Sequence, residues 1–284
     1  MSSAETSALV VVAGLLACPE CDLAFEVPTR VLRCARGHSF DIARQGYVSL
    51  LTGASTKMTG DTAPMLEARA AFQGAGHFAP IADAVARAVG SAASSSGPVA
   101  EIGAGTGYYL ASVLDATPAA FGIALDVAKP AARRAARAHP RAASVLADAW
   151  RGLPFRDGTI GTVLSVFAPR NPAEVARVLR TDGRFVVVAP TERHLGELIG
   201  PLDMVSVDPD KDRRLAESLS NRFEPTDRVV VDYSMKLGRA DVRNVVAMGP
   251  SAFHAERSAD AAIAALPDTV EVTASVTVTS YRPA

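Results

Sequence analysis

From residue 98 onward, short apolar runs alternate with longer stretches in which apolar side chains recur every three or four positions. Residues 99–102, 120–125, 144–146, 160–166 and 184–189 read as strands, and the intervals read as helices, with Pro130 and Pro172 placed at helix starts. Alternation of this kind predicts an α/β fold whose parallel sheet is covered on both faces and binds ligands at the carboxyl ends of its strands. Near the C-terminus, residues 229–233 and 270–278 alternate as strands and fit an antiparallel pair at the sheet edge.

Ahead of residue 98 the pattern is more broken. Residues 63–72 predict a helix, and Pro80 starts a second one whose Ile81, Val85 and Val89 share a face. Gly74, Gly76, His77 and Phe78 make a hinge between them. Residues 25–27 and 30–33 alternate like a small hairpin, and residues 8–17 are an apolar run too short to span a bilayer, expected as a flexible or strand-like lead-in. Small polar residues at 53–61 and 91–97 predict linkers, and residues 197–227 are charged and irregular, as a surface insertion on the substrate side would be.

Composition adds little beyond bounds. A chain of 284 residues with 49 % hydrophobic content buries a full core and leaves room for a small second unit. The net charge of −1 excludes bulk attraction to nucleic acid, so any such partner meets a local patch. Arg30, Arg33, Arg36 and Arg44 form one such patch and Lys129, Arg133, Arg134, Arg137 and Arg141 a second, unless these are solvated surface.

Two stretches carry chemistry. The first is Val99-Ala-Glu101-Ile-Gly103-Ala-Gly105-Thr106-Gly107, where glycines at every second position allow a tight turn and let a ligand lie on main-chain N–H groups. A dinucleotide fingerprint spaces its last two glycines three apart, and here they are two apart. Glu101 before the turn and Asp126, closing the next strand, complete the pattern of S-adenosylmethionine (SAM) methyltransferases, with Asp126 placed for the cofactor ribose. Asp148 and Ala149 follow the third strand, where an acidic residue faces the adenine amino group in such enzymes; a plain turn aspartate is the alternative. The second stretch holds all three cysteines: Cys18-Pro-Glu-Cys21, then Cys34-Ala-Arg-Gly-His38. This C-x2-C-x12-C-x3-H spacing suits one tetrahedral zinc ion between two knuckles, structural because four protein ligands close the site.

Together the knuckles, the run His38-Ser-Phe-Asp-Ile-Ala-Arg-Gln-Gly46-Tyr-Val-Ser-Leu-Leu51 and the glycine motif resemble the bacterial 23S rRNA (guanine-N1)-methyltransferases of RlmA type, which include tylosin- and mycinamicin-resistance enzymes. The resemblance runs from Cys18 to about Leu198. It implies a Rossmann-like class I SAM-dependent methyltransferase fold with a seven-stranded sheet, preceded by a small N-terminal zinc-binding domain. It divides the chain into a zinc-binding RNA-recognition domain at 1–52, linker and helices at 53–97, and a SAM-dependent methyltransferase domain at 98–284. It also implies 23S rRNA as partner, a cytoplasmic location, no membrane, and is compatible with a homodimer. Phe78 and His194 enter as cofactor contacts through the resemblance; on their own, Phe78 reads equally as a hydrophobic staple and His194 as a surface residue. Ala104 and Thr106 depart from the cysteine and acidic residue frequent in relatives.

Phe167-Ala168-Pro169 ends the fourth strand where amino-group methyltransferases often carry an Asp/Asn-Pro-Pro-aromatic motif, and the replacement fits a ring nitrogen as acceptor. No general base is evident. Arg170 and Asn171 are candidates for binding the guanine carbonyl oxygen. The competing functions are methylation of a small molecule, which leaves the zinc module idle, and a non-catalytic zinc-dependent rRNA-binding assembly factor.

Overall fold

Eight strands form the main sheet of the computed structural model, which describes residues 7–52, 58, 60–90, 97–249 and 258–284. The N-terminal segment contributes helix α1 (Ala8–Val12), then β1 (Phe25–Glu26), β2 (Val31–Cys34) and β3 (Ser39–Asp41), which pair as a three-stranded antiparallel sheet, and β4 (Tyr47–Ser49). Helices α2 (Ala63–Gly74) and α3 (Ala79–Gly90) follow. The remainder is β5 (Val99–Ile102), α4 (Tyr108–Ala116), β6 (Gly122–Asp126), α5 (Lys129–Ala135), β7 (Ala142–Leu146), β8 (Ile160–Val166), α6 (Pro172–Val178), β9 (Leu179–Pro190), α7 (Gly196–Ile199), α8 (Lys211–Leu219), β10 (Phe223–Gly238), α9 (Arg239–Met248), α10 (Ser258–Ala265) and β11 (Thr269–Pro283).

Spatial order is β10-β11-β9-β8-β5-β6-β7-β4, with β9 through β4 parallel and β10 and β11 antiparallel. Every residue of β5, β7 and β8 is buried, as expected of parallel strands covered on both faces. Chain direction reverses its progress across the sheet at β5, so a crevice opens beyond the carboxyl ends of β5 and β8. One apolar layer sets α3, α4 and α9 against the sheet; the other sets α1, the zinc-knuckle strands and α6 against the opposite face.

The expected fold class holds, with four corrections of detail, of which the first is that the interval from β7 to β8, expected as a helix, is a loop throughout. The sheet has eight strands and not seven, because β4, from the N-terminal segment, adds in parallel to β7: Tyr47, Val48 and Ser49 pair with Ser144, Val145 and Leu146. Residues 8–17 are helical at 8–12 and a 3-10 turn at 13–15, because over 8–16 the buried residues are Ala8, Leu9, Val12, Ala13 and Leu16, a helical spacing that an unbroken apolar run conceals. Residues 197–227 contain α7, α8 and the start of β10; α8 escapes detection because only Leu215 and Leu219 give it an apolar side, with charges elsewhere.

The hinge at Gly74–Phe78 is a turn in which Gly76 takes φ +82°. Of the expected linkers, 53–57, 59 and 91–96 lie outside the described residues. Among the described residues no helix is long and apolar enough to cross a membrane.

Candidate functional site

At the crevice lies a cavity of about 790 Å3 whose walls come from the segments that follow β5, β6, β7, β8 and β9, closed by α2, α8 and α9. Its floor is the glycine turn. Gly103, Gly105 and Gly107 adopt φ of +68°, +53° and +78°, a region that a side chain disfavours. Packing adds to this, since a Cβ on Gly103 would lie 2.7 Å from the Ala168 Cβ, and one on Gly107 2.7 Å from the Ala138 Cβ. The turn is held by N–H groups of Gly103 and Ala104, which donate to the Leu125 carbonyl, and by Gly105 N–H, which donates to Asp126 Oδ2 at 2.8 Å. Asp126 Oδ1 accepts from Ala128 N–H at 2.8 Å, so this carboxylate ties the two turns together at the cavity wall.

Glu101 lies beneath the turn, fully buried, with Oε2 accepting from Leu110 N–H at 3.1 Å. Burial, reinforced by the Asp126 charge and opposed by that hydrogen bond, pushes its carboxyl up to about 8. Thr106 is buried and donates to Gln73 Oε1 at 2.7 Å, tying the turn to α2. Asp148, also buried, accepts from Trp150 N–H at 3.0 Å, and with Ala149 and Trp150 it forms the wall beyond β7. The hydroxyl of Tyr109 is buried at the cavity wall with no hydrogen-bond partner among the described residues, and a polar ligand would satisfy it. This orphaned donor, the glycine cradle and the carboxylates at the strand ends fit a nucleoside cofactor.

Aromatic rings form the far wall. Phe167 and His194 stack with centroids 5.7 Å apart, and Phe78 lies 5.9 Å from His194 and 6.3 Å from Phe167. Phe167 is 40 % exposed and takes φ +53°, a costly conformation for an aromatic residue that leaves its ring face open to the cavity. Burial, with Lys211 nearby, pushes His194 down to about 4, so it is neutral; its Nδ1 accepts from Ser275 N–H at 3.1 Å.

The four knuckle residues converge as well. Donor atoms of Cys18, Cys21, Cys34 and His38 all lie within 4.8 Å of one another, with Cys21 Sγ 3.6 Å from Cys34 Sγ and His38 Nδ1 3.5 Å from Cys34 Sγ. A tetrahedral zinc ion with Zn–S bonds of about 2.3 Å sets its ligands about 3.5–3.8 Å apart, so the set fits that ion. The knuckle turns bend at Asp22 (φ +58°) and Gly37 (φ +85°). The module is fastened to the loop after β7: Ala17 N–H donates to the Pro154 carbonyl at 3.0 Å and Arg156 N–H to the Leu15 carbonyl at 2.9 Å. A second cavity of about 700 Å3 opens along this seam, from Pro19 and Asp22 to Arg151 and Asp148.

Residues 16–55 match the family model of the RlmA N-terminal zinc ribbon, and residues 99–183 match a methyltransferase domain model. A "Putative 23S rRNA (guanine-N(1)-)-methyltransferase" of Micromonospora griseorubida is 48 % identical over 94 % of this chain and 97 % of its own length. The chain belongs to the 23S rRNA (guanine-N1)-methyltransferase family. The "23S rRNA (guanine(748)-N(1))-methyltransferase" of Streptomyces fradiae is 46 % identical over 94 % of this chain and 96 % of its own, and a "Putative 23S rRNA (guanine-N(1)-)-methyltransferase YxjB" of Bacillus subtilis (strain 168) 34 % identical over 65 % and 67 %. This methyltransferase therefore uses SAM and carries a zinc ribbon.

Within the methyltransferase, all ten residues proposed from sequence as cofactor contacts except Gly107 line the larger cavity; Gly107 serves as the N-cap of α4. Neither Arg170 nor Asn171 lines it. Asn171 caps α6, accepting from Glu174 N–H at 3.4 Å, and Arg170 donates through Nε and Nη2 to the Ala168 carbonyl, which holds the Phe167–Pro169 turn. Both act on the loop that shapes the wall. Of the second basic cluster, Arg141 donates to the Thr117 and Ala120 carbonyls and Arg134 to the Leu66 carbonyl, whereas Lys129, Arg133 and Arg137 are exposed. Cavity residues that escaped sequence reasoning are Arg69, Gln73, Tyr109, Trp150 and Lys211. Tyr109 follows the glycine motif by two residues; Lys211 had no signal at all, because only tertiary folding brings α8 over the crevice.

Proposed function

We propose that this protein transfers a methyl group from SAM to N1 of a guanine in a domain II hairpin of 23S rRNA. The observation that carries this reading is one cavity in which a glycine cradle meets an open aromatic wall, on a fold whose zinc ribbon is fused to the same sheet. SAM, when bound, would supply a methyl on an activated sulfonium, the sulfur keeping the electron pair of the broken C–S bond while guanine N1 gained the methyl and lost its proton to water. The chain's own residues hold and exclude. Asp126 would accept from the cofactor ribose, Asp148 and Ala149 would hold its adenine, and Glu101 would balance its cationic end. Phe78, Phe167 and His194 give a guanine ring a stacking surface and displace water from the transfer path. A paired or stacked guanine first leaves its helix, at a cost of about a few kcal/mol. Cys18, Cys21, Cys34 and His38 hold the zinc, and the exposed arginines beside it, Arg33, Arg36 and Arg44, supply phosphate contacts. An rRNA substrate implies a cytoplasmic location.

The test is to incubate the protein with SAM and unmodified 23S rRNA and map reverse-transcriptase stops. A single new stop at a guanine of the domain II hairpin is expected, because a methyl on its Watson–Crick edge blocks copying. No stop, together with transfer to small aromatic compounds, would replace this reading with the small-molecule one.

A further inference from the structure

Lys211 opens α8 and forms part of the cavity wall, half-buried. Among the described residues its ammonium makes neither an ion pair nor a hydrogen bond. The reason is visible in its surroundings, where each nearby carboxylate is already taken by an arginine. Asp208 pairs with Arg214, Asp210 with Arg213 at 3.1 Å, and Asp212 with Arg228 at 2.7 Å. Holding an ammonium partly out of water with no carboxylate bonded to it is unfavourable, so this arrangement is suited to a ligand oxygen that carries negative charge. The groups that face Lys211 are Arg170 from the turn after β8, His194 from the segment after β9, and Asp208 and Asp212 from its own loop and helix. Those neighbours place it on the Phe167–His194 side of the cavity, away from the glycine cradle, where Arg69 is the cation on the wall.

This geometry, taken with the proposed guanine substrate on which the inference rests, assigns a role. We propose that Lys211 is a catalytic residue that donates a hydrogen bond to O6 of the acceptor guanine, stabilising the charge that gathers there as N1 releases its proton to water and accepts the methyl. Sequence reasoning had placed this duty on Arg170 or Asn171. The structure gives those two the loop to hold and puts the unpaired cation of α8 in the cavity instead. Burial and the Arg170 charge both lower the Lys211 ammonium from its ordinary range, which strengthens it as a hydrogen-bond donor.

The experiment compares wild type, Lys211→Met, Lys211→Gln, Lys211→Arg and, as a charge control at the exposed residue just past α8, Arg222→Gln, in single-turnover methylation of a 23S rRNA transcript. Removing a charge-stabilising donor should slow the step by about 10^2–10^3 at neutral pH in both the Met and Gln variants. It should leave rRNA affinity, SAM affinity and melting temperature within error. The Arg variant should recover most of the rate, and Arg222→Gln should match wild type. The deficit should shrink as pH rises into the range where guanine N1 ionises unaided, because the variants lack only the acidifying contact. A loss confined to rRNA affinity, with a reduced salt slope, would overturn the proposal in favour of a phosphate contact. A loss confined to SAM affinity, read from the fluorescence of Trp150, the chain's one tryptophan, would overturn it in favour of a cofactor contact. Unchanged rates would overturn it outright. If wild type itself places no methyl on the rRNA, the substrate reading fails and not the assignment of Lys211 within it.

Discussion

With the cofactor seated as proposed, burial makes Glu101 a proton switch for its binding. Its carboxyl, ordinarily near 4.5, is pushed up to about 8, so the free protein holds it neutral at physiological pH. A cationic ligand beside it favours the carboxylate, so binding SAM expels a proton. Affinity should therefore climb by up to about tenfold per pH unit and level off above about pH 8, which a Trp150 fluorescence titration at several pH values would measure. Glu101→Gln should flatten that dependence. The same shift works against stability, because the unfolded chain ionises this group near pH 4.5 and the folded chain only near 8. Wild type thus loses stability as pH rises through that window, and the Gln variant, lacking the acid, should melt higher than wild type above pH 8. A second prediction belongs to the turn above it. Gly103→Ala must take a side chain at φ +68° with its Cβ 2.7 Å from that of Ala168, so it should lose SAM binding and about 2 kcal/mol or more of stability by urea unfolding. Both residues were legible in the sequence, since a buried acid and a left-handed glycine each leave a mark in residue type. Lys211 was not, because what distinguishes it is the absence of partners, and a sequence does not show which neighbours are already paired.

Among the elements, the loop between β7 and β8, an interval whose sequence suggested a helix, carries more than a connection. Arg177 on α6 donates to the carbonyls of Leu153 and Phe155, both at 2.8 Å, to Asp157 at 2.7 Å, and through two nitrogens to Glu174 at 2.6 and 2.9 Å. Glu174 in turn accepts from Leu153 N–H at 2.7 Å. One guanidinium therefore fixes the loop on which the zinc ribbon rests, through Leu16 bridging to Phe155 and Ala17 bonding to Pro154. Arg177→Met should cost about 2–4 kcal/mol, since it strands Glu174 and two carbonyls at once. Urea unfolding followed by both circular dichroism and zinc release should then show the ribbon coming loose ahead of the core, whereas a wild-type-like single transition would mean the ribbon does not depend on this anchor. Parallel strands were readable because they are buried on both faces and appear as plain apolar runs. Helix α1 was misread for a related cause: its apolar run is continuous, so the helical spacing of Leu9, Val12 and Ala13 is visible only once burial is known. Helix α8 lacks an apolar stripe and was read as irregular.

At the scale of the molecule, the division into a zinc module and a catalytic domain describes the sequence better than the structure. Cys18, Cys34, Phe25 and Leu32 share one apolar cluster with Ile102, Ile123 and Val145 of the main sheet, and β4 is a strand of that sheet. A sequence motif shows the ligands of a metal, but the partner of a three-residue strand is chosen by tertiary packing, so the fusion was not legible. Its consequence concerns the metal. In an isolated zinc ribbon, removing zinc unfolds that ribbon alone, since metal binding is itself the folding energy. Here the loss should spread through the shared cluster to β7, which leads into Asp148, and hence to the cavity that Asp148 lines. Chelation should therefore lower the melting temperature of the whole chain in one transition, by about 10 °C or more if about 5 kcal/mol is lost from a chain of this size. It should also weaken SAM binding with no rRNA present. Cysteine-to-serine variants at Cys18 and Cys34 should reproduce both effects. Calorimetry with and without chelator decides the matter: two separate transitions, with the SAM-stabilised one unmoved, would show that ribbon and sheet fold independently despite their common core.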